Sequence, residues 1–132
     1  MDPVARGAGG VPQRILIVDD EPAISTALAI RLEAAGHVVR TATGGTAGLA
    51  AAEAERPDIV LLDIRMPDLD GFEVNRRLKA SPALAAIPVV FLSANIQEAA
   101  RAEARAAGAA AFIAKPYDLT EVMETIQRVC GG

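Results

Sequence analysis

The sequence predicts an α/β fold, a parallel five-stranded sheet with helices covering both faces. Three observations carry that reading. Apolar, β-branched runs of strand length alternate with longer segments of helical periodicity, five times along the chain. The richest of these runs, Ile59–Leu62, is apolar without alternation, as a strand buried on both faces must be. Several runs end in a polar residue: Asp19 after the first, Asp63 after the third, Ser93 after the fourth and Lys115 after the fifth. Parallel strands end on one side of a sheet, so residues remote in sequence meet there. The crossovers between strands are expected to be right-handed.

Each element has its own signal. Met1–Gln13 is rich in Gly and Pro and has no apolar segment of signal-peptide type, so a flexible leader is expected over 1–13. Arg14–Val18 is the first strand and runs into Asp19-Asp20-Glu21. Pro22 suits the first position of a helix, whose expected stripe is Ile24, Leu28 and Leu32 with Ala27 and Ala35; Gly36 ends it. His37–Ala42 reads as a short strand, with His37 at the surface and not a metal ligand. A glycine-bearing turn over Thr43–Gly48 leads into an alanine-rich helix to about Glu55, broken by Pro57 and Asp58. The third strand then ends on Asp63.

After Gly71, the residues Phe72, Val74 and Leu78 mark a third helix with Arg76, Arg77 and Lys79 solvated. Ser81–Ile87 is a loop, and Pro88–Leu92 a fourth strand leading to Ser93-Ala94-Asn95. Asn95 and Glu98 have capping-box spacing. The helix they open has almost only alanine on its inner face, so it buries little apolar area and is expected to be loosely held until Gly108 closes it. Ala109–Ala114 is the fifth strand, followed by Lys115-Pro116. Asp118 and Glu121 form a second capping box before a stripe of Leu119, Val122, Met123, Ile126 and Val129.

Composition narrows the function classes. The chain has 132 residues, 52% hydrophobic and 23% charged, which suits one globular domain with a substantial core. Aromatics are only 3%, so alanine and branched aliphatics build that core. A formal net charge of −4 lends no support to nucleic-acid or anionic-membrane binding. Cys130 is the only cysteine, which excludes an internal disulfide and fits a reducing compartment. The apolar stretch around Ala106–Ala114 is too short to cross a bilayer, so no membrane insertion and a cytoplasmic location are expected.

The chemistry lies at the strand ends. Carboxylates from Asp19, Asp20, Glu21 and Asp63 in one place repel unless a cation intervenes. Magnesium takes one or two protein carboxylates, keeps water and accepts phosphate oxygens. Lys115 adds a point charge suited to a phosphoryl oxygen, and Ser93 a hydroxyl donor. A carboxylate can itself be a nucleophile and form an aspartyl-phosphate. Taken singly, each group has an ordinary reading: the acids after the first strand as residues favoured at a helix N-terminus, Ser93 as a turn serine, Lys115 as a surface lysine, Phe112 as core.

Taken together and in order, Val18-Asp19-Asp20-Glu21, Leu62–Gly71 with its Asp63, Met66-Pro67 and Asp70-Gly71, Leu92-Ser93-Ala94 and Lys115-Pro116 resemble the response-regulator receiver domain. This is the phosphoacceptor module of two-component signalling, and the resemblance covers nearly everything from Arg14 to Val129, with the domain bounded at 14–130 and a tail at 131–132. It implies the flavodoxin-like, doubly wound strand order 2-1-3-4-5. It implies that Asp63 accepts a phosphoryl group from a histidine kinase or a histidine phosphotransfer protein. It implies Mg²⁺ (or Mn²⁺) held directly by Asp20, through water by Asp19, and by Asp63 and the backbone carbonyl of Arg65. Lys115 would pair with the carboxylate and then with the phosphate, Ser93 would turn in to bond the phosphate, and Phe112 would change rotamer with it. The Lys115–Pro116 bond would be cis.

Output would pass to an unnamed downstream protein through the helix after Asn95, the fifth strand and the C-terminal helix. The implied role is that of a signalling switch rather than an enzyme, beyond self-phosphorylation from small donors and self-dephosphorylation. No direct nucleic-acid contact is expected, and a homodimer stays open. Ser93 stands where threonine is common in the family, and Phe112 where tyrosine is common. Arg65 and Asn95 occupy positions that vary and tune phosphate lifetime, while Ala94 is small enough to leave the site open. The alternative is a phosphorylation-independent interaction or dimerisation module of the same fold.

Other motifs fail. Placing Gly71 sixth in an EF-hand loop puts Met66 first and Arg77 twelfth, where acids belong. Haloacid-dehalogenase-like phosphotransferases need an acid two residues after the nucleophile, and Arg65 stands there. No Walker-type phosphate loop is present.

Overall fold

The computed structural model describes residues 11–93, 103 and 105–131. Five strands, β1 (Arg14–Val18), β2 (Val38–Ala42), β3 (Ile59–Asp63), β4 (Val89–Ser93) and β5 (Ala111–Ala114), form one sheet in the order β2-β1-β3-β4-β5. Every pairing is parallel. The described helices are α1 (Pro22–Ala34), α2 (Gly45–Glu55), α3 (Gly71–Ala80) and α4 (Leu119–Ile126), the last running on into a wide π turn, Gln127–Gly131. The capping box read at Asn95 and Glu98, and most of the helix it opens, lie outside the described residues. Its C-terminal end is described: Ala107 N–H donates to the Glu103 carbonyl, and Gly108 follows with a positive φ of 81°.

Successive side chains of a strand point to opposite faces, and the sheet divides its apolar residues accordingly. Leu16, Val18, Val60, Leu62 and Phe91 pack with α2 and α3. Ile15, Ile17, Ile59, Leu61, Val90, Leu92 and Ile113 pack with α1 and α4. All five residues of β3 are buried, which is why its sequence shows no alternation. Gly48 lets α2 lie directly on β1, since a Cβ there would sit 2.6 Å from a Val18 methyl.

Four expectations are corrected. In α1 the buried residues are Ser25, Leu28, Ala29 and Leu32, while Ile24 and Ala27 are exposed. The first turn of α1 lies past the end of β1, so Ile24 overhangs the β5–α4 loop and lines a groove with Tyr117. Ser25 is buried at no cost in hydrogen bonding because its hydroxyl back-bonds to the Glu21 and Pro22 carbonyls. His37 is buried, not at the surface, and β2 begins one residue later. Its Nδ1 accepts the Gln13 N–H at 3.0 Å, and desolvation holds its pKa below the ordinary value. Lys79 is half-buried rather than solvated, because its ammonium donates to the Ala85 and Ile87 carbonyls and ties down the loop after α3. β5 is shorter than expected and begins at Ala111.

Candidate functional site

The C-terminal ends of β1, β3, β4 and β5 place Asp19, Asp63, Ser93 and Lys115 on one edge of the sheet. Asp19 is the first residue after β1 and its N–H is bonded to the Ala42 carbonyl of β2, so its position is fixed by the sheet. Asp63 is the last residue of β3. Ser93 ends β4 and is buried beside them, and the Lys115 N–H donates to the Ser93 carbonyl at 2.8 Å. The Lys115–Pro116 peptide is cis.

The Lys115 ammonium lies at the centre of the acids, 2.9 Å from Asp19 Oδ2, 3.4 Å from Asp63 Oδ2 and 3.8 Å from Glu21 Oε1. Burial disfavours its charge, but the hydrogen bond to Asp19 and the charges of Asp63 and Asp19 outweigh that and raise its pKa. Asp19 has both oxygens engaged, Oδ2 by Lys115 and Oδ1 by the Glu21 N–H at 2.9 Å. Asp63 is poorly served by comparison. Among the described residues its Oδ1 accepts a long contact, 3.4 Å, from the Arg65 N–H. Burial, with Asp19 adding like charge, pushes its pKa up to about 6 against the pull of Lys115.

Asp19, Asp20, Glu21 and Asp63 each offer a carboxylate oxygen, and these oxygens lie within 4.8 Å of one another. Four carboxylates around one ammonium carry uncompensated negative charge, and an all-oxygen donor set suits a hard divalent cation. Asp20 is half-buried and makes no ion pair with Lys115, so its carboxylate is placed for a direct ligand, whereas each Asp19 oxygen already accepts one hydrogen bond. Beside Asp20 and Arg65 opens a cleft walled by Ile64, Met66, Pro67 and Phe72. Arg65 itself is exposed at its mouth. Phe112 is half-buried on β5, its ring 6.5 Å from that of Phe91, which in turn meets Phe72 in a tilted contact at 5.2 Å. An aromatic row therefore crosses the α3 face of the sheet from the cleft to β5.

Glu21, expected among the strand-end carboxylates, approaches Lys115 and joins the oxygen cluster. One residue at the site is not singled out by the sequence. Tyr117, half-buried just beyond the cis bond, has its phenol pKa raised by burial and lies within electrostatic reach of Lys115, Asp19 and Asp63. Its signal was available: it is the only tyrosine of the chain and stands two residues from Lys115.

A family model described as the response regulator receiver domain matches residues 15–127. The chain is 40% identical to protein PilH of Pseudomonas aeruginosa over 119 residues, which is 90% of this chain and 98% of PilH. It is also 40% identical over 114 residues to RpaA of Synechocystis, a DNA-binding transcriptional regulator, but there it spans only 47% of the relative. Against other transcriptional-regulator relatives, too, it spans about half of their length, 50% and 48%. Among solved structures it resembles the receiver domain of the sensor histidine kinase PA1611 from Pseudomonas aeruginosa, with a TM-score of 0.84 and 31% identity over 92% of this chain and 100% of that one. That structure is described with a magnesium ion coordinated in its active-site cleft.

Proposed function

The chain belongs to the response regulator receiver family of two-component signalling, and from that premise we propose that Asp63 is its phosphoacceptor. The observation that carries the reading is the contrast at the sheet edge. Asp63 is a buried carboxylate with a pKa raised to about 6, while Lys115 lies nearer to its neighbour Asp19, at 2.9 Å, than to Asp63, at 3.4 Å. Such a carboxylate is still ionised at neutral pH, and a raised pKa goes with greater basicity of the oxygen that attacks.

In the proposed reaction a phosphohistidine of a histidine kinase or phosphotransfer protein enters the cleft. An Asp63 oxygen forms the new O–P bond as the P–N bond breaks; the imidazole nitrogen leaves with that electron pair and takes a proton from solvent. Lys115 donates to a phosphoryl oxygen, and Ser93 donates its hydroxyl to another. Asp20, Asp63 and the Arg65 carbonyl would hold Mg²⁺ or Mn²⁺, with Asp19 acting through water. The ion supplies charge neutralisation at the phosphoryl oxygens. Asp19 keeps Lys115 in place before transfer. The product carries its signal through Ser93 and Phe112 to a face made by β5, α4 and the helix after Asn95, read by a downstream protein. The likeness to PilH and to the magnesium-bound receiver of PA1611 supports this reading.

The test is incubation with a small phosphodonor such as acetyl phosphate, read by intact mass. The wild type is expected to gain one phosphoryl mass only when Mg²⁺ is present, and Asp63→Asn to gain none. A wild type that stays unmodified, or an Asp63→Asn chain modified to the same extent, overturns the assignment.

A further inference from the structure

Asp68 lies in the loop between β3 and α3 and is not one of the clustered acids, yet both of its carboxylate oxygens are bonded. Its Oδ1 accepts the Gly45 N–H at 3.1 Å and its Oδ2 the Thr46 N–H at 3.0 Å, across more than 20 residues of sequence. These are the first donors of α2. The helix has no side-chain cap of its own, because its N-cap residue is Gly44, held at φ 103°. Free N–H groups at a helix start seek an acceptor, and a carboxylate there is further favoured by the helix dipole. Asp68 supplies the missing cap from another part of the chain.

The glycines around it show how closely the loop is seated. A Cβ on Gly44 would meet the Asp68 carboxylate at 3.1 Å, and one on Gly45 would meet the Leu69 carbonyl oxygen at 2.6 Å. The far end of the loop is fixed as well. Asp70 caps α3 by accepting the Glu73 N–H at 3.0 Å, and the Gly71 N–H donates to the Ile64 carbonyl at 2.7 Å. Between these ties runs Arg65, whose N–H faces Asp63 and whose carbonyl belongs to the proposed metal site.

We infer that Asp68 is a positioning residue for the phosphoryl-transfer site, clamping the β3–α3 loop to the start of α2 so that the Arg65 backbone stays aligned on Asp63 and the bound cation. The inference rests on the proposed metal-assisted transfer at Asp63. Outer residues that orient ligands typically change metal affinity by about 10- to 100-fold when removed.

The experiment titrates Mg²⁺ alone into wild type, Asp68→Ala and Asp68→Asn, following the backbone amide resonances of Asp63 and Arg65 by NMR. Asp68→Ala removes both contacts and is expected to weaken Mg²⁺ binding about tenfold; Asp68→Asn keeps one acceptor and is expected to fall between it and wild type. The spectra also report that each variant is folded. Should Asp68→Ala not fold, Asp68→Asn still decides, since its affinity must lie measurably below wild type. Either variant binding like wild type overturns the inference, as does an Asp68→Asn chain no better than Asp68→Ala. A wild type without any Mg²⁺ response removes the metal site itself and this inference with it, whereas a binding wild type matched by its variants removes the inference alone.

Discussion

Two aspartates five residues apart, Asp63 at the end of β3 and Asp68 in the loop beyond, are held in opposite electrostatic states. Asp63 is 5% exposed, shares its pocket with Asp19, and has a pKa raised to about 6. Asp68 is exposed, accepts two backbone N–H groups at normal distance, and has a pKa lowered to about 2. Both are carboxylates, so the difference is one of surroundings. Donors that satisfy a carboxylate convert it into a structural tie. A carboxylate that is buried and left short of donors keeps its charge exposed to whatever cation or electrophile enters. On the proposed reading the strand end reacts and the loop holds, and Gly71 is where the two are pressed together.

The largest effect should come from separating the two regions by force. A Cβ on Gly71 would collide with the Asp63 carbonyl oxygen and the Ile64 Cα, both of them backbone. Neither can swing aside as a side-chain tip would. Gly71→Ala is expected to destabilise the fold by about 1–3 kcal/mol, measured by urea denaturation, because overpacking against fixed atoms costs that much. It should also abolish the Mg²⁺-dependent adduct under conditions where the protein remains folded. A Gly71→Ala chain as stable as wild type would mean that the strand end and the loop are not rigidly joined.

Next comes the charge on Asp63. Its carboxyl titrates near 3.8 when exposed and near 6 in the fold, so the folded state favours the protonated form. That preference is fully in effect below the lower value and is lost as pH rises through the higher one. At about pH 7.5 and without divalent cations, the ionised Asp63 therefore works against the fold. Asp63→Asn is expected to be more stable than wild type there by about 1–3 kcal/mol, and equal to it below about pH 4. Added Mg²⁺ should narrow the gap by stabilising only the wild type. A gap that does not change with pH would show that Asn acts through packing instead.

The two regions were also unequally legible in the sequence. Ile59–Leu62 could be read as a buried strand because burial on both faces leaves an unbroken apolar run, and a parallel sheet then fixes where Asp63 must lie. The polar ends of β1, β4 and β5 followed from the same rule. Asp68 could be read only as a turn residue, because its partners Gly45 and Thr46 belong to another helix and nothing in a local window points to them. His37 was misplaced for the same kind of reason: its burial depends on the Gln13 N–H, 24 residues away. In α1 the periodicity was right for Leu28 and Leu32, but the stripe was extended one turn too far to Ile24, since no pattern of residues shows where the sheet beneath a helix stops. Local periodicity finds the elements; ties between distant backbone and side-chain groups become visible only once the chain is folded.

The smallest effect is the mirror image of the Asp63 titration. Asp68 has its pKa lowered by the Thr46 and Gly45 N–H groups, so its charged form is the one the fold prefers. The stability it contributes is present above the ordinary carboxyl value and is lost as pH falls toward about 2. Asp68→Ala should therefore lower the thermal midpoint by a few degrees at neutral pH, and the difference from wild type should close only in strong acid. The Asp63→Asn difference changes instead between about pH 4 and pH 6, and with the opposite sign. Parallel thermal melts of the two variants against wild type from about pH 2 to pH 7.5 read both slopes. If both differences move in the same direction with pH, the two carboxylates share one environment and the division between reactive strand end and structural loop does not hold.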